Sequence, residues 1–443
     1  MLLYKKGGIS MRRIIFDALK KWKENPHRLP LLISGARQVG KTYILREFAS
    51  ACYPSVVYIN LETNRRAADC FSENISPRML LPYLEAVTGQ KVIPGKTLLI
   101  LDEIQSTERA LTSLKYFAEE APEFHVAAAG SLLGVALNRK KFSFPVGKVE
   151  TLQMFPLNFE EFLWARGKEL LAAAIRKAYE DREPLPTALH EEAIRLYREY
   201  LVIGGMPSVI NAFLANHSFL DIPQVQQEIL DNYTADMVKY AFPSETVKIR
   251  ACYQSLPVQL AKENKKFQYK VVQRGGTAAI FGAPIEWLSQ AGIVLRCRRL
   301  QHAAEPLAAY VDLSAFKLYS SDVGLLAMQS GMSQETILSG TGNLFMGAMT
   351  ENYVAQQFVS LGLPLYYWES KSTAELDFVF PVGAKTYGVE VKKGEHIRSR
   401  SLGVFRQQEN PTGVMLFSLK NFGFENGILS IPLYAAFCLP EGL

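Results

Sequence analysis

Cysteine is scarce. Cys52, Cys70, Cys252, Cys297 and Cys438 are scattered over 443 residues, odd in number and never two apart. That spacing excludes a disulfide framework and a zinc knuckle. The histidines His27, His125, His190, His217, His302 and His396 contain no His-x-x-x-His pair, so each is expected to be an isolated surface or core imidazole. No apolar run approaches the ~20 residues that a bilayer demands. The opening Met1-Leu2-Leu3-Tyr4-Lys5-Lys6-Gly7-Gly8 lacks the apolar centre of a signal peptide. A soluble, cytoplasmic chain with no membrane partner is expected. Internal repeats and low-complexity tracts are missing too. Charge of one sign is barely in excess: 49 Lys and Arg against 43 Asp and Glu leave +6, which permits a nucleic-acid partner without requiring one.

What is there reads as globular, with 48% apolar and 21% charged residues. At roughly 150 residues per domain, the length predicts about three domains. Residues 11–24 predict an amphipathic helix, with Ile14, Ile15, Ala18, Leu19 and Trp22 on one face and Arg12, Arg13, Lys20 and Lys21 elsewhere. Short apolar strands are expected at 31–34, 56–60, 97–101, 126–129 and 149–152, alternating with helices at 41–51, 78–88 and 111–119. Such an alternation indicates a buried parallel sheet with helices on both faces, an α/β class. Past Pro156 the pattern turns helical. Breaks are expected at Pro184, Pro186, Gly204-Gly205 and Pro223. A long helix is expected at 346–361, then strands at 365–368, 376–380, 387–391 and 413–417.

The strongest local signal is Gly35-Ala36-Arg37-Gln38-Val39-Gly40-Lys41-Thr42, a full match to G-x-x-x-x-G-K-[ST]. Two glycines let successive N–H groups turn inward onto phosphate oxygens, and the helix that follows adds the positive end of its dipole. Lys41 is assigned to the β- and γ-phosphates and Thr42 to Mg²⁺. Arg37 is expected to be exposed. About 60 residues on, Leu98-Leu99-Ile100-Leu101 carries Asp102 and Glu103 to a strand tip. Asp102 is assigned to the metal through its waters, and Glu103 to activation of the attacking water. Ser131 would sense the γ-phosphate or the water if its strand lies between the two motif strands.

These residues resemble the opening of prokaryotic AAA-type ATPases that carry a DUF4143 domain. The likeness rests on residues 30–42, Leu101-Asp102-Glu103-Ile104-Gln105, Gly130-Ser131, and Phe155-Pro156-Leu157-Asn158-Phe159-Glu160-Glu161-Phe162. Gly204-Gly205-Met206-Pro207 and the stretch from Lys317 to Leu326 extend it. Where the family usually shows Gly-Arg before the Phe-Pro-Leu segment, this chain has Gly147-Lys148, and lysine lacks the bidentate fork of arginine. The resemblance implies a P-loop ATPase domain at 11–165, a helical and winged-helix-like region (DUF4143) at 166–335, and a PD-(D/E)xK nuclease-like domain at 336–443.

Two further regions carry chemistry. Residues 288–294, followed by Arg296, Arg298 and Arg299, read as helix, turn and basic strand, with Lys262, Lys265, Lys266, Lys270 and Arg274 upstream. Such cations are candidates for DNA phosphates or for the solvated face of an interdomain module. Near the C-terminus, Asp377 enters one strand and Glu390-Val391-Lys392 lies on the next, where positions two apart share a face. With Glu351 on the preceding helix they resemble a nuclease core, in which carboxylates bind Mg²⁺ and the lysine polarises a water. The expected function is Mg²⁺-dependent ATP binding and hydrolysis coupled to DNA or a protein partner. The alternative is an ATP-controlled switch or scaffold with negligible turnover and an inert nuclease-like domain.

Overall fold

The computed structural model describes residues 4–5, 8–9, 11–131, 145–341, 344–370, 374–394 and 400–439. His396 and the last four positions of the expected C-terminal domain lie outside them. The described chain divides into two compact units, one of residues 12–155 with 290–292, the other of the remainder.

In the first unit the strands are β3 (Leu31–Ser34), β4 (Ser55–Asn60), β5 (Thr97–Asp102), β6 (His125–Ala129) and β7 (Glu150–Gln153); β1 (Tyr4–Lys5) and β2 (Gly8–Ile9) pair as a short ribbon in the other unit. The sheet runs β4-β5-β6-β3-β7, and every neighbouring pair is parallel. β5 and β6 are buried at every position, as a sheet covered on both faces requires. Alternate residues serve opposite layers. Leu32, Val57, Leu99, Val126 and Ala128 share one core with α3 (Arg65–Glu73), α4 (Pro77–Thr88) and α5 (Glu108–Glu120). Helices α1 (Ile15–Glu24) and α2 (Lys41–Cys52) meet through Phe16, Trp22 and Phe48, with ring centroids 5.9 and 6.4 Å apart. The sequence reading anticipated β3 to β7 and the helices α1, α2, α4 and α5, but neither the β1–β2 ribbon nor α3. That helix buries Ala67, Cys70 and Phe71 in the core, with Ala68 packed against it, and starts on an Asn64 side chain that accepts from Ala67 N at 3.1 Å.

The second unit begins with a helical run, α6 (Phe159–Ala165), α7 (Glu169–Asp181), α8 (Thr187–Ile203), α9 (Pro207–Asn216), α10 (Ile222–Tyr240), α11 (Pro243–Gln254) and α12 (Leu256–Leu260). Pro223 lies just past the break between α9 and α10. It sits in the first turn of α10, where the missing N–H has no helical acceptor to lose. After α13 (Tyr269–Val272) and α14 (Ala278–Gln290) come β8 (Val294–Leu300) and β9 (Val311–Ser320), then α15 (Val323–Ser330), α16 (Gln334–Ser339) and α17 (Phe345–Ser360). Strands β10 (Tyr366–Glu369), β11 (Glu375–Val382) and β12 (Lys385–Val391), helix α18 (Arg400–Glu409), and β13 (Gly413–Ser418), β14 (Gly423–Glu425) and β15 (Ile428–Pro432) complete the unit.

One sheet of order β14-β15-β13-β12-β11-β10-β8-β9 spans this unit. The antiparallel pair β8–β9 joins the C-terminal strands because β8 pairs in parallel with β10, Arg298 opposite Tyr366. An exposed strand edge is removed by that pairing. The boundary expected at 335/336 therefore does not coincide with an edge of the sheet.

Three of the sequence motifs meet in a single knot in this unit. Gly204 adopts φ +74°, and a Cβ there would fall 2.2 Å from Asp322 Oδ1. A Cβ on Gly205 would fall 2.0 Å from Leu157 O. Leu157 N donates to Gly205 O at 2.7 Å, and Gly205 N donates to Asp322 Oδ2 at 2.6 Å. Asp322 also caps α15, accepting from Leu325 N at 3.0 Å. Tyr200 donates its hydroxyl to Leu157 O and receives Gln356 Nε2 at 2.9 Å. Burial pushes the Asp322 carboxyl up to about 6, against the backbone N–H groups that favour its charge.

Candidate functional site

The turn after β3 depends on backbone conformations that side chains resist. Gly35 has φ +143°, and a Cβ on it would lie 2.1 Å from Met154 O. Gly40 at φ +99° and Gln38 at +67° complete the reversal. Helix α2 then starts at Lys41 with no side-chain cap at Gly40, leaving first-turn N–H groups directed at the loop. Lys41 is buried and donates to Gly35 O at 2.9 Å and Ala36 O at 2.6 Å. Arg37, expected outside, is half-buried. Arg13 was not singled out in sequence. It is buried, and its guanidinium donates to Val39 O at 2.9 Å and Phe155 O at 2.7 Å, bracketing the loop from outside.

The acid strand β5 ends beside the helix start. Thr42 Oγ1 donates to Asp102 Oδ2 at 2.7 Å, Tyr58 donates its hydroxyl to the same oxygen at 2.7 Å, and Glu103 N donates to Oδ1 at 3.0 Å. Burial, and then the Asp102 carboxylate, push the Tyr58 hydroxyl up to about 12, so it remains a donor. Arg46 lies 4.0 Å over the Tyr58 ring. Strand β6 does lie between β5 and β3, which brings Ser131 to the acid pair. Ser131 Oγ is 3.5 Å from Glu103 Oε2, and Gln105 Nε2 donates to the Glu103 carboxylate and, at 3.3 Å, to Ser131 Oγ. Glu103 itself sits at φ +51°, a left-handed backbone that non-glycine residues seldom hold. Tyr58 and Gln105 are contributors that spacing alone could not reveal. Lys148 forms a 3.0 Å ion pair with Glu119.

Along the chain, α14, Gly292 and β8 follow in the expected order, and all of β8 lies in the second unit. Several of the cations there are already engaged. Arg296 pairs with Glu286 at 3.2 Å and lies 4.8 Å over Phe316. Arg299 binds Asp312 at 2.5 Å and Glu369 at 3.2 Å, while Lys265 pairs with Glu351. Lys270, Arg274 and Arg298 are exposed.

The C-terminal constellation is brought together. Register Phe378 opposite Val389 sets Asp377 across from Glu390, and Glu390 pairs with Lys392 at 2.6 Å. Glu351, from α17, is held by Lys265, Lys317 and Tyr319. Burial opposes its charge, but Lys265 and Lys317 hold its carboxyl below the usual range. Burial and then Glu351 push Asp377 up. Among the described residues, no group of three or more His, Cys, Asp or Glu is placed to hold a metal ion. No described helix is long and apolar enough to cross a membrane.

A family model described as an AAA domain matches residues 27–163. Models for two domains of unknown function, DUF8612 and DUF4143, match 194–336 and 346–435. The uncharacterized proteins Rv2008c of Mycobacterium tuberculosis and Mb2031c of Mycobacterium bovis are each 35% identical over 79 residues. The match covers 17% of this chain and only 18% of either relative. Among solved structures, the Walker-type ATPase PABY2304 of Pyrococcus abyssi gives a TM-score of 0.44 at 14% identity, over 72% of this chain and 96% of that one. The ORC2 protein of Aeropyrum pernix, solved as ADPNP–ADP complexes, gives 0.40 at 10% identity, over 78% and 96%.

Proposed function

This chain belongs with the AAA-domain proteins that carry a DUF4143 domain, and from that premise we propose that it binds ATP with Mg²⁺ at the loop 35–42 and hydrolyses it. The observation that carries the reading is the 2.7 Å contact between Thr42 Oγ1 and Asp102 Oδ2, because it joins the helix start to the acid strand. A hydroxyl and a carboxylate oxygen at that spacing suit a hard, oxygen-seeking cation, so Thr42 and Asp102 would hold Mg²⁺. Bound there, the ion would neutralise charge on the β- and γ-phosphates. Lys41 exchanges its contacts with Gly35 O and Ala36 O for phosphate oxygens. The loop amides stabilise the remaining charge. Glu103 takes the proton of the attacking water, and Ser131 orients that water or the γ-phosphate.

Replacing Lys41 by Ala tests the binding half. Calorimetric titration with Mg²⁺ and ATP should show heat for the wild type and a loss of affinity of about 100-fold or more in the variant. A wild type without heat or thermal stabilisation would sink the reading.

One observation favours the switch alternative. The Glu103 carboxylate is engaged by Gln105 and lies near Ser131, so its freedom to meet water depends on that contact. Gln105→Leu should lower steady-state phosphate release by about 10-fold if Gln105 aims the base, and raise it if Gln105 restrains the base. KM for ATP should move little in either case. Coupling to DNA is assigned to the exposed cations Lys270, Arg274 and Arg298. Phosphate release with and without duplex DNA distinguishes that partner from a protein.

A further inference from the structure

The resemblance leads one to expect a divalent metal among the C-terminal acids, and the residues present do not fit one. Glu351 spends both carboxylate oxygens on donors of this chain. Oε1 accepts from Lys317 Nζ at 3.0 Å and from the Tyr319 hydroxyl, and Oε2 accepts from Lys265 Nζ. Lys317 is fully buried, reaches Glu375 Oε1 at 2.5 Å and lies 4.9 Å from the centroid of the Tyr367 ring. Asp377 Oδ2 accepts from Val391 N at 2.7 Å, and Lys392 is bound to Glu390 at 2.6 Å. Three ammonium groups therefore stand among four carboxylates.

The strand geometry explains how they come to be there. Lys317 and Tyr319 are two apart on β9 and share a face, and α17 lays Glu351 against that face. Lys265 arrives from the segment between α12 and α13. In the sequence it belongs to a run of lysines read as candidates for DNA phosphates or for a solvated face, but here it is turned onto an acid. A divalent ion drawing on Glu351 would have to displace an ammonium or share an oxygen with one. Displacement takes from the fully buried Lys317 one of its two carboxylate partners, leaving Glu375 alone to balance it in a dry interior where poorly paired charge is heavily penalised. Sharing sets like charges side by side.

We propose that Lys265 and Lys317 are the resident cations of this pocket, filling electrostatically the place that a divalent metal takes in a phosphodiesterase, so that the Glu351–Asp377–Glu390 cluster is a structural core without metal-dependent nuclease chemistry. This inference is independent of the ATP reading.

The test is Mn²⁺ binding, followed by electron paramagnetic resonance on the full chain without nucleotide, beside a plasmid assay. Any Mn²⁺ held near Asp102 is common to all variants and cancels. The wild type and Lys265→Arg should show no site lost on Asp377→Asn, and plasmid should stay intact. Lys265→Met removes the partly exposed ammonium but keeps most of its stem. It should gain one Mn²⁺ site, at least about ten-fold tighter than any seen in wild type. Circular dichroism confirms that each variant is folded. Wild-type nicking abolished by Asp377→Asn, or wild-type Mn²⁺ lost on that substitution, would overturn the proposal. So would a folded Lys265→Met that gains no site, because the lysine would then not be what excludes the metal.

Discussion

Glu103→Gln is expected to keep ATP and stop consuming it. The amide is isosteric and can still accept from Gln105 Nε2, so the position of the side chain is preserved. What it loses is the ability to take a proton. A positioned general base contributes about 100- to 10,000-fold, and steady-state phosphate release should fall by that order. Affinity for the nucleotide, set by the loop and by Lys41, should change by less than about three-fold. The split between binding and turnover is the useful part. A variant that loses affinity as well would mean that the carboxylate shapes the site, while wild-type turnover would remove Glu103 from the chemistry. In that second case the contact with Gln105 would belong to a switch rather than to an active base.

The parts of this site that were legible are those written in consecutive residues. Gly35, Gly40 and Lys41 announce the loop because a reversal around phosphate needs that order, and Leu98–Glu103 announces a buried strand with acids at its tip. The placement of β6 between β5 and β3 was stated only as a condition for Ser131, since strand order is not encoded locally. Arg13 and Tyr58 stayed hidden for the same reason, since each acts across a gap that only the folded sheet closes, as does the contact of Gln105 with Ser131. Arg13 looked like the polar face of a helix, yet it lies just before α1 and is buried against the loop. In the second unit, β8 and β10 are separated by more than the length of a hairpin, so their parallel pairing left no periodic trace. Lys265 was misleading in a more physical way. A lysine in a cationic run looks solvated, and only the fold shows which one is recruited to neutralise an internal acid.

Asp322→Ala should produce the largest loss of stability. The side chain is fully buried, caps α15 through Leu325 N and accepts from Gly205 N at 2.6 Å. Removing it strands those donors in a knot that also holds Leu157 and Tyr200, at a cost of about 3–5 kcal/mol near pH 5. The sign of the pH dependence follows from the shift, which runs from 3.8 in the unfolded chain to about 6 in the folded one. Folding thus favours the protonated form. The stabilisation from that shift is complete below the unfolded value and is lost as pH rises through the folded value. The penalty of the substitution should therefore shrink, by about 1 kcal/mol between pH ~5 and pH ~7. Urea titrations of both proteins at several pH values measure the difference directly and cancel the other titrating groups. A penalty that grows with pH would show that the ionised carboxylate, held by the glycine-rich turn, is the form the fold prefers. Burial would then be the weaker of the two influences on Asp322.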